Sequence, residues 1–195
     1  MKTFLIELRT SVVAIIVFAI LLCGIYPLIV WAGGNLLFHN NAAGSLIERG
    51  GQTIGSEWIG QGFTSPRYFQ SRPSAAGKGY DATSSSGSNL GPTSKKLMDA
   101  IAQNIDAYRK ANDLAADVKI PADAVTASAS GLDPHISPRN AELQTARIVR
   151  ERKVPVEQVK SLIESNTEDR FLGFIGEPAV NVLTLNLALD RLNVP

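Results

Sequence analysis

Residues 12–32 read VVAIIVFAILLCGIYPLIVWA, a run of twenty-one residues that carries no formal charge. In a helix rising about 1.5 Å per residue it covers roughly 30 Å, the thickness of a bilayer's hydrocarbon core. Tyr26 and Trp31 lie toward its C-terminal end, where amphipathic rings settle at the headgroup level. Gly24 and Pro27 are poor choices for a soluble helix but are tolerated within a membrane. Proline lacks the N–H that would bond the carbonyl four residues earlier. Pro27 is therefore expected to kink the segment and leave a carbonyl near Cys23 in need of a partner.

The run is too long for the apolar core of a cleavable signal peptide, about 7–15 residues, although Ala32-Gly33-Gly34 is a small-residue cluster. Leu21-Leu22-Cys23-Gly24 resembles a lipoprotein box only superficially, because bulky Leu22 precedes the cysteine. The segment is read as an anchor spanning 11–33. On its short N-terminal side Lys2 and Arg9 outweigh Glu7, which places residues 1–10 in the cytoplasm. No second apolar run of spanning length follows, so residues 34–195 are expected to form one extracytoplasmic domain, periplasmic in a Gram-negative host.

Formal net charge is +1, without the basic excess that a phosphate-binding surface needs. The one cysteine, Cys23, lies inside the apolar run. The rest of the chain therefore has no disulfide framework, cysteine nucleophile or thiolate zinc ligand.

Beyond the polar juncture at 33–44, Ser45–Ile47 and Thr53–Ile59 flank Gly50-Gly51 and predict a hairpin. Residues 60–93 are rich in Gly, Ser and Pro, with Phe63, Tyr68, Phe69 and Tyr80 among them. A loop this long points to function or disorder, and the aromatics argue against disorder. Leu97, Ile101, Ile105 and Tyr108 recur at helical spacing and predict a helix over 94–112, capped by Thr93 or Ser94. A short extended piece is expected near 125–129. Ser137 followed by Pro138 predicts the start of a helix running to about Arg152. Pro155 opens another helix with Val159, Leu162 and Ile163, and the apolar stretch 180–189 fits a strand or a short helix equally. The expected fold class is α+β: one N-terminal transmembrane helix followed by a small mixed α/β extracytoplasmic domain.

Nucleotide signatures fail. Gly60-x-Gly62 has Ser65 where the third glycine belongs, and Gly77-Lys78 has Arg72 at the first glycine of a phosphate loop and Gly79 after the lysine. His39 and His135 cannot supply a four-ligand zinc site. Asp133-Pro134-His135 reads as an Asx turn whose imidazole satisfies nearby backbone. The run GYDATSSSGSNLGPTS, which begins at Gly79, suits an anion-binding nest or a serine nucleophile. Asn89 occupies the centre of the Gly87–Gly91 pattern where a nucleophile elbow needs serine. Its plainer reading is an ordered loop held by side-chain-to-backbone bonds.

Three stretches in this order, IGQGFTSPRYFQSRPSAAGKGYDATSSSGSNLGPTS from Ile59, SASGLDPHISPRNAELQTARI from Ser128 and GEPAVNVLTLNLAL from Gly176, follow the anchor. With it, they resemble the C subunit family of the Kdp potassium-transporting ATPase (KdpC) over nearly the full length. Ala179 departs from that pattern, which has arginine there. The resemblance implies a non-catalytic accessory subunit of a P-type ATPase that imports potassium. Its implied partners are a channel-like subunit (KdpA), an ATP-hydrolysing subunit (KdpB) and a small membrane subunit (KdpF). It also implies a catalytic chaperone that raises the hydrolysing subunit's affinity for ATP, although no cofactor is expected to bind this chain directly. Given the expected sidedness, that effect must be indirect. Tyr80, Asp81, Ser88, Asn89, Asp133 and His135 are the candidate partner contacts, from a loop docked over the outer mouth of the channel subunit. Gly24 and Pro27 become candidates for packing against partner helices. The competing class is a membrane-anchored extracytoplasmic hydrolase or binding protein, a hydrolase using Ser84–Ser88 with His135.

Overall fold

A computed structural model describes residues 2–192, which divide into two units, 2–46 and 47–192. In the first, α1 (Lys2–Ala19) passes through a π-helical turn (Ile20–Ile25) into α2 (Tyr26–Leu37), and a short α3 (His39–Ala42) follows. The stretch Thr3–Leu37 is long and apolar enough to cross a membrane, and none of its most apolar window is buried within the chain. Phe18, Leu22, Ile29 and Trp31 are each 60–67% exposed. A helix apolar on every side and covered by nothing of its own needs an apolar surround.

The disturbance expected at Pro27 takes the form of the π-turn just before it. Tyr26 N–H bonds Leu21 O, five residues back, and Pro27 falls in the first turn of α2, where a missing N–H costs little. Phe38 leaves helical geometry at φ −135° and ψ 48°, which ends α2.

In the second unit β1 (Leu46–Arg49) and β2 (Gln52–Ser56) form the expected hairpin. Gly50 and Gly51 both take positive φ, 61° and 79°, the backbone that a two-residue hairpin turn demands. Helix α4 (Lys95–Asn112) follows the long loop, with Ser94 as its N-cap residue. The extended piece expected at 125–129 is absent. A 3₁₀ turn at Ala122–Ala124 leads instead into irregular chain, because Asp123 is drawn into capping the next helix. Helix α5 (Pro138–Arg152) starts where predicted, with Ser137 Oγ accepting from Asn140 N–H, and α6 (Val156–Ser165) is preceded by Pro155.

The ambiguous C-terminal stretch is both of its alternatives in turn. Strand β5 (Ala179–Asn181) runs into α7 (Val182–Arg191). Asn181 makes the change: it closes the strand and its Oδ1 accepts from Leu183 and Thr184 N–H, 3.1 and 3.2 Å away. Strand β5 is the centre of a three-stranded antiparallel sheet between β3 (His135–Ile136) and β4 (Thr167–Glu168). Ile136 and Thr167 both face Val180 in register.

Helix α5 separates two apolar clusters. Ala141 and Ile148 join Phe69, Ile136, Val159, Ile163, Val180, Val182, Leu185 and Leu189, whereas Leu143 meets Tyr108, Ala124 and Val125. The expected α+β class holds: helices and two small sheets, with one long apolar N-terminal helix.

Candidate functional site

The long loop at 60–93 is ordered because helices α5 and α7 grip its backbone. Asn186 of α7 exchanges two hydrogen bonds with Phe69, accepting from its N–H (2.8 Å) and donating to its carbonyl (2.9 Å). Gln144 of α5 does the same with the next residue, Gln70, at 2.7 and 3.1 Å. Two side-chain amides thus replace the neighbouring strands that an extended segment normally needs. They hold Phe69 so that its ring is fully buried.

Arg147 completes the clamp. It is 2% exposed, and burial pulls its pKa down, yet a guanidinium stays protonated in a protein. Its donors go to the carbonyls of Pro66 and Tyr68, to Asn112 Oδ1 (3.0 Å) and to Gln144 Oε1 (2.6 Å). Tyr108 donates to Asn140 Oδ1 (2.7 Å), and Asn140 in turn donates to Asp123. One turn beyond, Arg152 bonds Arg67 O (2.7 Å) and Asp190 (2.9 Å) and lies 4.7 Å over the Tyr68 ring. In the sequence Tyr108 and Tyr68 stand out only for helical spacing and loop aromaticity, and none of the polar members of this network does. The signal was present: Asn140, Gln144 and Arg147 share the buried face of a helix whose caps were legible, so a polar stripe at core positions announced a buried network.

Asp133 and His135 are brought together with Arg72. Arg72 Nη1 lies 2.7 Å from Asp133, whose other oxygen accepts from His135 N–H (3.0 Å) and faces the imidazole Nδ1 at 3.4 Å. The expected Asx turn is present, but the imidazole does not serve backbone. It turns to Asp133, to Glu168 (3.9 Å from Nε2) and edge-on to Trp58. Burial raises the Asp133 carboxyl, but hydrogen bonds from His135 and Arg72 and the charge of Arg72 outweigh it and hold the pKa at about 2. The bond to Asp133 raises the His135 pKa above its ordinary value against the lowering effect of burial, with Glu168 and Glu57 adding to the rise.

Tyr80 sits half-buried at φ 58°. Its hydroxyl donates to Arg72 O and its N–H donates to Ser74 Oγ (2.8 Å), while burial raises its pKa. A Cβ at Gly62 would stand 3.1 Å from its ring. Asp81 is exposed and accepts from Thr83 N–H and Oγ1, which lowers its pKa. Ser88 and Asn89 are exposed as well, Asn89 at φ 52°. The serine-rich run is stitched to 128–131: Ser86 N–H and Ser85 Oγ both donate to Ser130 O at 3.0 Å. A Cβ at Gly131 would meet Ala76 N and Ser86 O at 2.6 Å, so the loop and this segment touch backbone to backbone.

The six predicted positions therefore separate by role. Tyr80, Asp133 and His135 are tied inward around Arg72, and Asp81, Ser88 and Asn89 lie on the surface of the same loop. Outside this unit, a Cβ at Gly24 would meet nothing within 4 Å. The small residue leaves a dent in the apolar helix, three residues before Pro27.

An apolar helix long enough to cross a membrane, joined to an α+β unit, fits the class of single-pass membrane proteins. Its family is equally plain. Residues 8–191 match the family of the K+-transporting ATPase c chain. The chain is 54% identical over 186 residues to the potassium-transporting ATPase KdpC subunit of Mycobacterium tuberculosis (strain H37Rv), covering 95% of this chain and 98% of that one. It is 50% identical over 185 residues to the KdpC subunit of Koribacter versatilis, at 94% of each. To that of Myxococcus xanthus it is 51% identical over 191 residues, at 97% and 88%. The chain belongs to the KdpC family and is a component of a potassium-transporting ATPase complex.

Proposed function

We propose that the chain is a non-catalytic accessory subunit that assembles with the potassium-conducting KdpA, the ATP-hydrolysing KdpB and the small KdpF. Its span lies in the inner (plasma) membrane, with residues 1–10 in the cytoplasm and 34–195 outside. The carrying observation is the family match from residue 8 to residue 191, which takes in both the apolar helix and the second unit. Sidedness is supported by Lys2 and Arg9 against Glu7 on the short N-terminal flank.

Nucleotide is cytoplasmic, so a domain on the other side acts on ATP handling indirectly, through assembly or through packing of the anchor. In this reading Asp81, Ser88 and Asn89 contact the outer face of the conducting subunit, and Tyr80, Asp133 and His135 shape the surface beneath them. Replacing Tyr80 and Asn89 is expected to alter complex stability or apparent potassium affinity. A hydrolase would instead need a serine beside His135. Among the described residues no hydrogen bond joins His135 to a serine of 84–88: its Nδ1 faces Asp133 at 3.4 Å, and Ser85 Oγ donates to Ser130 O, which favours the subunit.

Purification of the tagged chain from its own membranes tests the assignment. The ATPase subunits are expected to come with it, and a chain that runs alone and turns over a substrate overturns the reading. Photolabelling sealed, correctly oriented vesicles with an azido-ATP analogue tests the indirect route, and specific labelling of the second unit would sink it.

A further inference from the structure

The segment between β4 and β5 ends in an apolar tip. Phe171, Leu172, Phe174 and Ile175 are 69%, 70%, 72% and 49% exposed, and no charged residue lies between Arg170 and Glu177. Scattered exposed apolar residues are ordinary, but a contiguous group of this size marks an interaction site.

The tip is built, not loose. Phe171 and Ile175 exchange N–H and carbonyl at 2.9 Å in both directions. Gly173 N–H bonds Arg170 O and Phe174 N–H bonds Phe171 O. The N–H groups of Phe171, Gly173, Phe174 and Ile175 are all used within the turn, so these four enter an apolar environment without being stranded. Leu172 takes φ 54°, a region unfavourable for leucine, and its exposure returns little burial. Folding alone would favour glycine or asparagine there.

The collar decides what the tip enters. Glu168 and Asp169 precede it, and Arg170 pairs with Glu177 across its neck at 2.6 Å. With Glu168 facing the His135 imidazole at 3.9 Å, the collar has three carboxylates against one guanidinium and one imidazole. Such a collar repels an anionic lipid surface, and no Trp or Tyr in 167–178 supplies an interfacial anchor. It complements a basic rim around an apolar pocket in a protein. We propose that Phe171, Leu172, Phe174 and Ile175 form a hydrophobic plug that seats in an apolar, basic-rimmed socket on another subunit of the transport complex. The proposal rests only on membership of a multi-subunit transporter, not on the sidedness above.

The test places a photoreactive diazirine side chain at Phe174 of the full-length chain, expressed with the whole complex and irradiated in membranes. A covalent adduct with another subunit is expected. Adducts with phospholipid alone, with a second copy of this chain, or with nothing overturn the plug. In parallel, Phe171→Ser with Phe174→Ser should leave the melting temperature of the full chain unchanged, because both rings are exposed. It should also weaken association with the other subunits about thirtyfold, the loss typical of a two-residue anchor at an interface. Undiminished recovery of the complex also overturns it. Where the tagged wild-type chain recovers the complex and the variant recovers as much, the plug fails while the subunit assignment stands; where the wild type recovers nothing, the assignment itself fails.

Discussion

Arg147 shows how much of this fold hangs on one buried cation. Its partners are neutral oxygens, so its worth lies in satisfying acceptors that water cannot reach. Arg147→Met strands the carbonyls of Pro66 and Tyr68 together with Asn112 Oδ1, while Gln144 Oε1 keeps only Gln70 N–H, and is expected to destabilise the chain by about 3 kcal/mol or more. Arg147→Lys should lose most of the same stability, because one ammonium cannot serve four acceptors spread around a planar fork. Denaturant titration of the full chain in detergent reads both, and a lysine variant as stable as the parent would refute the account.

Asp133 and His135 make a pH-dependent pair at the same scale. His135 has a raised pKa in the fold, so its contribution is complete below its ordinary value of 6.5 and is lost as pH climbs through the raised one. Asp133 behaves oppositely: its contribution is present above 3.8 and is lost as pH falls toward about 2. Both operate together between those limits. His135→Gln is expected to flatten the fall in melting temperature above pH 6.5 and to keep part of the acid loss, which Arg72 still supports. An unchanged alkaline slope would count against the pairing.

Elements in this protein are short, and their ends are set by particular side chains. The loop that passes between α5 and α7 carries no ladder of its own. It is stable because Asn186 and Gln144 each present an amide in the two-bond geometry of a strand neighbour. Gln144→Leu combined with Asn186→Leu should release the backbone near Phe69 and Gln70 while α4 persists. Hydrogen exchange should then rise steeply over 66–71 and change little over 95–112; a uniform rise across both would mean that the amides support the whole unit, not the loop.

For the molecule as a whole, the anchor carries the testable consequence. A Cβ at Gly24 would meet nothing within 4 Å, so Gly24→Leu should leave the isolated chain's helix content and stability unaltered. If the dent receives a partner helix, as small residues in membranes do, the same substitution should lower recovery of the complex. Equal recovery would show that the glycine serves only the π-turn it belongs to.

By itself the sequence determined the features that depend on neighbours along the chain. The apolar span follows from length and the absence of charge, the Gly50-Gly51 hairpin from positive φ, and α5 from Ser137 and Pro138. The order of the loop motifs likewise pointed to the family. Tertiary structure alone decided what the polar residues in the interior do, because their partners lie far away in sequence. Asn186 meets Phe69 and Arg147 meets Pro66, 117 and 81 residues apart, distances that no local period records. It also decided that the His135 imidazole serves Asp133 rather than backbone. The C-terminal apolar stretch fits either element locally for a related reason: Asn181 ends a strand only because β3 and β4 lie on either side of β5. For the anchor, the structure adds a defined π-turn before Pro27, and none of the span's most apolar window is buried among the described residues.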